Sequence, residues 1–201
     1  MPRHHSFTLV VLLMTSTSLL ADSRAEKLAS KPDAWFASEE ARRTMNSILS
    51  WQTEHGDWPK NMDTTKQPFS GDRKKPAGTF DNGATTGELR VLARAVRVTG
   101  DRRYKQAFLK GFDHILQAQY SNGGWPQYYP LSKSYHRHIT FNDGSMVRIL
   151  QFLRDATSKR DFAFLDDDRR TAAEQAIGNG VDCIVKCQVV VDGVLTVWCA
   201  Q

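Results

Sequence analysis

Gln52-x3-Gly56-x-Trp58-Pro59 returns with its spacing unchanged as Gln119-x3-Gly123-x-Trp125-Pro126. Each copy closes an apolar helical stretch, Ile48-Leu49 in the first and Ile115-Leu116 in the second. A degraded third copy follows, in which Ile184-Val185 lead to Gln188, and Gly193 and Trp198 arrive later. The three glutamines therefore recur at intervals of 67 and 69 residues. A period of that length holds two helices and their connections, and such a unit buries its apolar face only by stacking on its neighbours. The expected fold is all-α, an incomplete α/α toroid of repeated helical hairpins.

A second repeat lies between these elements. Thr79-Phe80-Asp81-Asn82-Gly83-Ala84-Thr85 reappears as Thr140-Phe141-Asn142-Asp143-Gly144-Ser145-Met146. If the hairpins surround one axis, equivalent turns gather at one end and both acid-amide pairs line one cleft. The same Asx residues also suit helix N-caps at about Thr85 and Gly144, and that reading stays open beside the functional one. Lys60, directly after the first Trp-Pro, is placed either to pair with a substrate carboxylate or to serve as an exposed loop lysine. Trp58 and Trp125 read as packing residues of the hairpins, and Gln52 and Gln119 as partners for backbone groups at helix ends.

Apolar spacing places the helices. Ala41, Met45, Ile48 and Leu49 mark one from Ser38, its N-cap, to Trp51. Leu89, Leu92, Ala93 and Val96 mark a second from Thr85, stopped at Thr99-Gly100. Asp101 caps a third, with Tyr104, Phe108, Phe112, Ile115 and Leu116 inward. A fourth runs from about Gly144 to Ala156 with Met146, Val147, Leu150 and Leu153 inward. A fifth opens at Asp166-Asp167-Asp168 and ends near Cys187, and Gly178 and Gly180 either weaken it or allow a close crossing. Val189 to Val197, broken by Asp192-Gly193, predicts a small β-hairpin near the carboxy terminus. Residues 60–78 form a long connection, a length often associated with function.

The amino end reads as a signal peptide: Arg3, His4 and His5, an apolar run from Phe7 to Met14, then Ser23-Arg24-Ala25 with small residues at the cleavage-determining positions. The apolar run is too short to span a membrane. Residues 1–25 are thus expected to be a leader, and 26–201 one domain of a secreted or periplasmic protein, truncated at its carboxy end. A net charge of +5 suits a polyanion. No zinc-knuckle, recognition-helix or aromatic-basic pattern favours nucleic acid, and an acidic polysaccharide agrees with export. Cys183, Cys187 and Cys199 are too few for a structural zinc site; a disulfide from Cys199 to one of the other two, or three plain thiols, both remain open.

Trp-Gln-Thr at 51–53, Gly-x-Trp-Pro-Lys-Asn at 56–61, Thr-Phe-Asp-Asn-Gly-Ala-Thr at 79–85, Gln-Tyr-x-Asn-Gly-Gly-Trp-Pro-Gln at 119–127, Thr-Phe-Asn-Asp at 140–143 and Trp-Cys-Ala-Gln at 198–201 occur in that order. Together they resemble polysaccharide lyase family 10, pectate lyases with an α/α toroid, over about Trp35 to Gln201. The resemblance implies calcium-assisted β-elimination on polygalacturonate, giving unsaturated oligogalacturonides, by a monomer. It implies Asp81 and Asp143 as catalytic and metal-binding residues, with Lys60, Asn82 and Asn142 on the substrate side. The family's base is an arginine of the carboxy-terminal half, which no motif residue of this chain matches; Arg90 and Arg148 read as ordinary helix residues. Asp57 stands where the family has a second glycine, and Gly144-Ser145 where an acid and alanine are usual. A binding-only or inactive lyase for acidic polysaccharide is the alternative. Lys110-Gly111 through Trp125 also resembles the QW element of triterpene cyclases, whose Asp-x-Asp-Asp acid is not reproduced by Asp166-Asp167-Asp168-Arg169.

Overall fold

The computed structural model describes residues 23–199. Within them run helices α1 Arg24–Leu28, α2 Asp33–Phe36, α3 Glu39–Trp51, α4 Thr86–Thr99, α5 Arg102–Gln117, α6 Ser145–Ser158 and α7 Asp167–Lys186. An antiparallel hairpin of β1 Gln188–Val191 and β2 Val194–Trp198 follows. The helix starts obey the expected caps: the Ser38 hydroxyl accepts from Ala41 N, and Asp101 and Asp166 accept from Arg103 N and Arg169 N. Gly100, at φ +67°, ends α4 in the left-handed conformation that glycine adopts without penalty.

α4 packs on α5 and α6 on α7, which makes the two hairpins. α3, α5 and α7, the more exposed helices, stand side by side as the outer layer, and α4 lies against α6 as the more buried inner layer. This two-layered stack is the expected toroid segment. Phe108 and Phe112 of α5 join Phe152 of α6 and Phe162 in one aromatic cluster, with ring centroids 5.7–6.2 Å apart. On α6 the inward stripe is Met146, Ile149, Phe152 and Leu153, while Val147 is exposed. Contrary to the inward position expected for Val147 and Leu150, Leu150 is only half-buried, and the buried face lies about one residue round the helix.

The repeated elements act as staples. Trp58 Nε1 donates to Ile48 O at 2.8 Å and Trp125 Nε1 to Ile115 O at 2.9 Å, both indoles being fully buried. Gln52 Nε2 donates to Gly56 O and, across the layer, to Ala107 O; Gln119 Nε2 donates likewise to Gly123 O and Ala176 O. One amide thus closes its own turn and ties one outer-layer helix to the next. Gly56 and Gly123 have positive φ, and a Cβ would lie 2.7 Å from Lys110 O and 2.1 Å from Asn179 O. The third copy keeps the indole bond, Trp198 Nε1 to Ile184 O at 2.6 Å, on an exposed ring. Val181 and Val185 of α7 and Val190, Val194, Leu195 and Val197 of the hairpin are exposed too.

Of the expected leader, residues 1–22 lie outside the described residues. Ser23 caps α1 by accepting from Glu26 N, and Ala25 is buried where α1 meets α4. The three cysteines are free thiols here, with Cys183 Sγ 3.9 Å from Cys187 Sγ; burial, then the neighbouring thiol, pushes Cys183 up to about 11.

Glu88, in the first turn of α4, is buried. Burial pushes its carboxyl up to about 7, against bonds from its own and Thr85 backbone N–H groups and the Thr64 hydroxyl, which donates to Oε1 at 3.0 Å. The folded protein binds this proton more tightly than the unfolded chain does. The associated stability is complete below about pH 4.5 and is lost as pH rises through about 7, an effect of up to about 3 kcal/mol. Glu88→Gln is expected to flatten urea-unfolding stability between pH 5 and pH 8; parallel profiles would refute the assignment. The two glycines of α7 separate as well. A Cβ at Gly178 meets nothing within 4 Å, whereas at Gly180 it lies 2.7 Å from Leu150 Cδ2 and 2.9 Å from Trp125 Cζ3. Gly178→Ala should stabilise by about 0.5–1 kcal/mol, and Gly180→Ala should destabilise by about 1–3 kcal/mol, both read by urea unfolding.

Candidate active site

Each heptad folds as a short 3₁₀ turn, Asp81–Gly83 and Asn142–Gly144, immediately before an inner-layer helix. In each, the second Asx residue and the glycine are left-handed: Asn82 at φ +53° with Gly83 at +71°, and Asp143 at +51° with Gly144 at +68°. Asn, Asp and Gly are the residues that tolerate this region, which accounts for Asx-Asx-Gly in both copies. The turns pack against each other, so the two equivalent turns gather at one end as expected; of the two acid-amide pairs, Asn82 is the member that lines the cleft beside Lys60. Neither aspartate caps a helix, since the N-cap positions are Thr85 and Gly144 and neither makes a side-chain cap bond.

Asp81 is buried and Asp143 exposed. Asp81 Oδ2 accepts from Gln127 Nε2 at 2.6 Å and from the Lys60 ammonium, which forms an ion pair with it. Asp81 Oδ1 is buried without a hydrogen-bond partner. Burial works against the Lys60 charge, but the bond and charge of Asp81, aided by Tyr128 and Asp143, outweigh it and hold its pKa above the ordinary lysine value. Lys60 is therefore not a free loop lysine; it lies under the influence of both aspartates. Asn82 Nδ2 reaches Asn61 Oδ1 at 3.4 Å, and Asn142 Nδ2 donates to Asp143 Oδ2 at 3.0 Å. Lys60, Asn61 and Asn82 border a cleft of about 450 Å³ together with Arg24, Asp63 and Glu88.

The Trp-Pro element carries this geometry directly. Thr79 N donates to Trp58 O at 3.0 Å, and Thr140 N to Trp125 O at 3.1 Å, so each heptad is pinned to its own tryptophan. Thr85, β-branched yet at φ +67°, is held in that strained state because its hydroxyl accepts from Trp58 N and donates to Thr79 O. Phe80 N and the Thr79 hydroxyl both bond to Gln127 O, which joins the first heptad to the second Trp-Pro element. Beneath them Asp57, buried, accepts from the Thr53 hydroxyl and lies 3.3 Å from His114 Nε2.

Gln127 was not singled out from the sequence. The signal was present, since Gln127 follows Trp125-Pro126 as Lys60 follows Trp58-Pro59, and the two repeat-equivalent side chains meet on one carboxylate oxygen. Arg90 pairs with Glu26 and Asp155, and the buried Arg148 with Glu26 at 3.3 Å.

A hard cation suits this set of groups. The orphaned Oδ1 of Asp81, the exposed carboxylate of Asp143 and the amide oxygens of Asn82 and Asn142 are the oxygen donors calcium prefers. Among the described residues no three His, Cys, Asp or Glu side chains converge, so two carboxylates would need amide, water or substrate oxygens to complete a shell.

The family model of pectic acid lyase matches residues 52–201. Among solved structures, a family 10 polysaccharide lyase from Cellvibrio cellulosa is 36% identical with a TM-score of 0.74, over 89% of this chain and 55% of that one. A mutant of the Cellvibrio cellulosa family 10 lyase in complex with trigalacturonic acid gives 35% identity and a TM-score of 0.75, over 90% of this chain and 56% of that one. This chain spans little more than half the length of either. No match is found among curated proteins. The repeated Trp-Pro and Asx-Asx-Gly elements, their two-layered helical packing and these likenesses make the chain a member of the pectic acid lyase family, polysaccharide lyase family 10.

Proposed function

We propose that this chain supplies the cation-holding and uronate-binding part of a secreted or periplasmic pectate lyase, which cleaves polygalacturonate by β-elimination to unsaturated oligogalacturonides. The observation behind it is the pairing of a buried, half-satisfied Asp81 with an exposed Asp143 on adjoining turns beside Lys60. The trigalacturonic acid bound by the Cellvibrio cellulosa lyase mutant supports an acidic sugar chain as the ligand.

Calcium bound to the uronate carboxylate would stabilise the negative charge that develops when the C5 proton leaves. Asp81, held through Oδ2 by the buried Gln127, offers Oδ1 as a preorganised donor. Asp143, exposed on the next turn, would share the ion with substrate oxygens. Lys60, Asn82 and Asn142 would hold the uronate by charge and amide hydrogen bonds. Elimination needs a base at C5, cleavage of the C4–O4 bond with formation of the C4–C5 double bond, and a proton for the departing O4. Arg90 is paired with Glu26 and Asp155 and Arg148 with Glu26, which ties both guanidinium groups to carboxylates. The arginine base that the family resemblance implies would therefore not be one of these two.

The binding-only reading makes a different prediction at the same site. Polygalacturonate is mixed with the protein at alkaline pH, with calcium or chelator, and the ultraviolet absorbance of the unsaturated uronate is followed. Calcium-dependent growth supports the lyase, and Asp143→Ala and Asp81→Asn are then each expected to lower kcat/KM by about 100-fold or more. Calcium-dependent trigalacturonate binding without absorbance growth would favour the binding-only role. Activity unaffected by either substitution would overturn the site.

A further inference from the structure

The pair formed by Lys60 and Asp81 raises a question of occupancy, and its answer rests on the calcium site proposed above. The Lys60 ammonium donates to Asp81 Oδ2, the oxygen already bonded by Gln127 Nε2, and it feels the charge of Asp143 as well. Gln127 is buried and uncharged, whereas the Lys60 side chain is partly exposed and borders the cleft. Only one of the two donors is both charged and able to move toward solvent. A monovalent ammonium on Asp81 and a divalent ion shared by Asp81 and Asp143 would lie at close range with like charge, and burial magnifies that repulsion.

The geometry points to Lys60 as a resident counter-ion that calcium displaces. In the metal-free protein Lys60 neutralises Asp81 and keeps its buried charge compensated. When calcium takes over that carboxylate, the ammonium is released along its four-carbon stem into the cleft, where it meets a carboxylate of the polyuronate. Lys60 is then a positioning residue that couples the two ligands. Without calcium its charge is spent on Asp81, and with calcium the same charge recruits substrate. Coupling of this kind is reciprocal, so trigalacturonate tightens calcium to the extent that calcium tightens trigalacturonate. The repeat supports the assignment, because the second copy places a neutral glutamine where the first places lysine, so that of the two donors on Asp81 Oδ2 only Lys60 is charged.

The test uses the whole chain and calcium alone as the probe. Isothermal titration compares wild type with Lys60→Met, which keeps the length of the stem and removes the charge; Lys60→Met is expected to bind calcium about 10-fold more tightly. In parallel, wild type is treated with an amine-acylating reagent with and without saturating calcium, and labelling of Lys60 is read by mass spectrometry. Displacement predicts that calcium increases Lys60 labelling, whereas a distant charge effect would tighten calcium without changing it. Calcium binding that is lost in Asp143→Ala, together with unchanged Lys60 labelling or no gain in Lys60→Met, would overturn the displacement while leaving the calcium site standing. No calcium binding by wild type would overturn both.

Discussion

The structure depends on the bond between a buried indole and a helix carbonyl ten residues upstream. Trp58 with Ile48, and Trp125 with Ile115, each bring the chain back across the end of an outer-layer helix. The indole N–H has one good direction, so the bond fixes where the ring lies as well as that it is buried. The adjoining glutamine then spends its amide on its own turn and on the next outer-layer helix. Two side chains per repeat thus set hairpin closure and repeat stacking together. The glycines follow from this: Gly111 and Gly180, on the following outer-layer helices, face Trp58 and Trp125, and any Cβ there would meet the ring or a neighbouring leucine.

The same clamp places the chemistry. The backbone carbonyl of each clamped tryptophan receives the first N–H of the heptad, so the Asx-Asx-Gly turn inherits its position from the tryptophan. Proline at the next step withholds an N–H and stiffens the approach. The residue after it, Lys60 in one copy and Gln127 in the other, is directed at the turn. Fold and site are therefore coupled through a few backbone bonds, and strain at Thr85 is tolerated because its hydroxyl satisfies two of them.

Much of this was legible in the sequence because it is periodic. A repeated Gln-x3-Gly-x-Trp-Pro announces a clamp wherever it occurs, and the caps at Ser38, Asp101 and Asp166 are local chemistry. The inward face of α6 was less legible. Val147 and Ile149 are both β-branched and apolar, and which of them is covered is decided by how α6 packs on its neighbours rather than by its own sequence. The partners of Asp81 were hidden for a related reason: Lys60 and Gln127 lie 21 and 46 residues away, and hydropathy says nothing about where polar side chains meet. Glu88 was hidden in the same way, since a glutamate in the first turn of a helix is ordinary and its burial depends on Thr64 and the packing of α1.

Divergence between the copies separates their structural and chemical parts. The clamp residues are kept as Gln, Gly, Trp and Pro in both, because a change at any of them would loosen a hairpin. The site positions differ: Lys60 against Gln127, Asp81 against Asn142, Asn82 against Asp143. A symmetric site with two buried aspartates would place two like charges on adjoining turns with little water to screen them. The observed exchange leaves one acid deep, balanced by one cation, and one acid exposed at the left-handed position. It is this asymmetry, imposed on a symmetric scaffold, that gives the cleft a direction and allows one carboxylate to be held ready while the other remains open to a ligand.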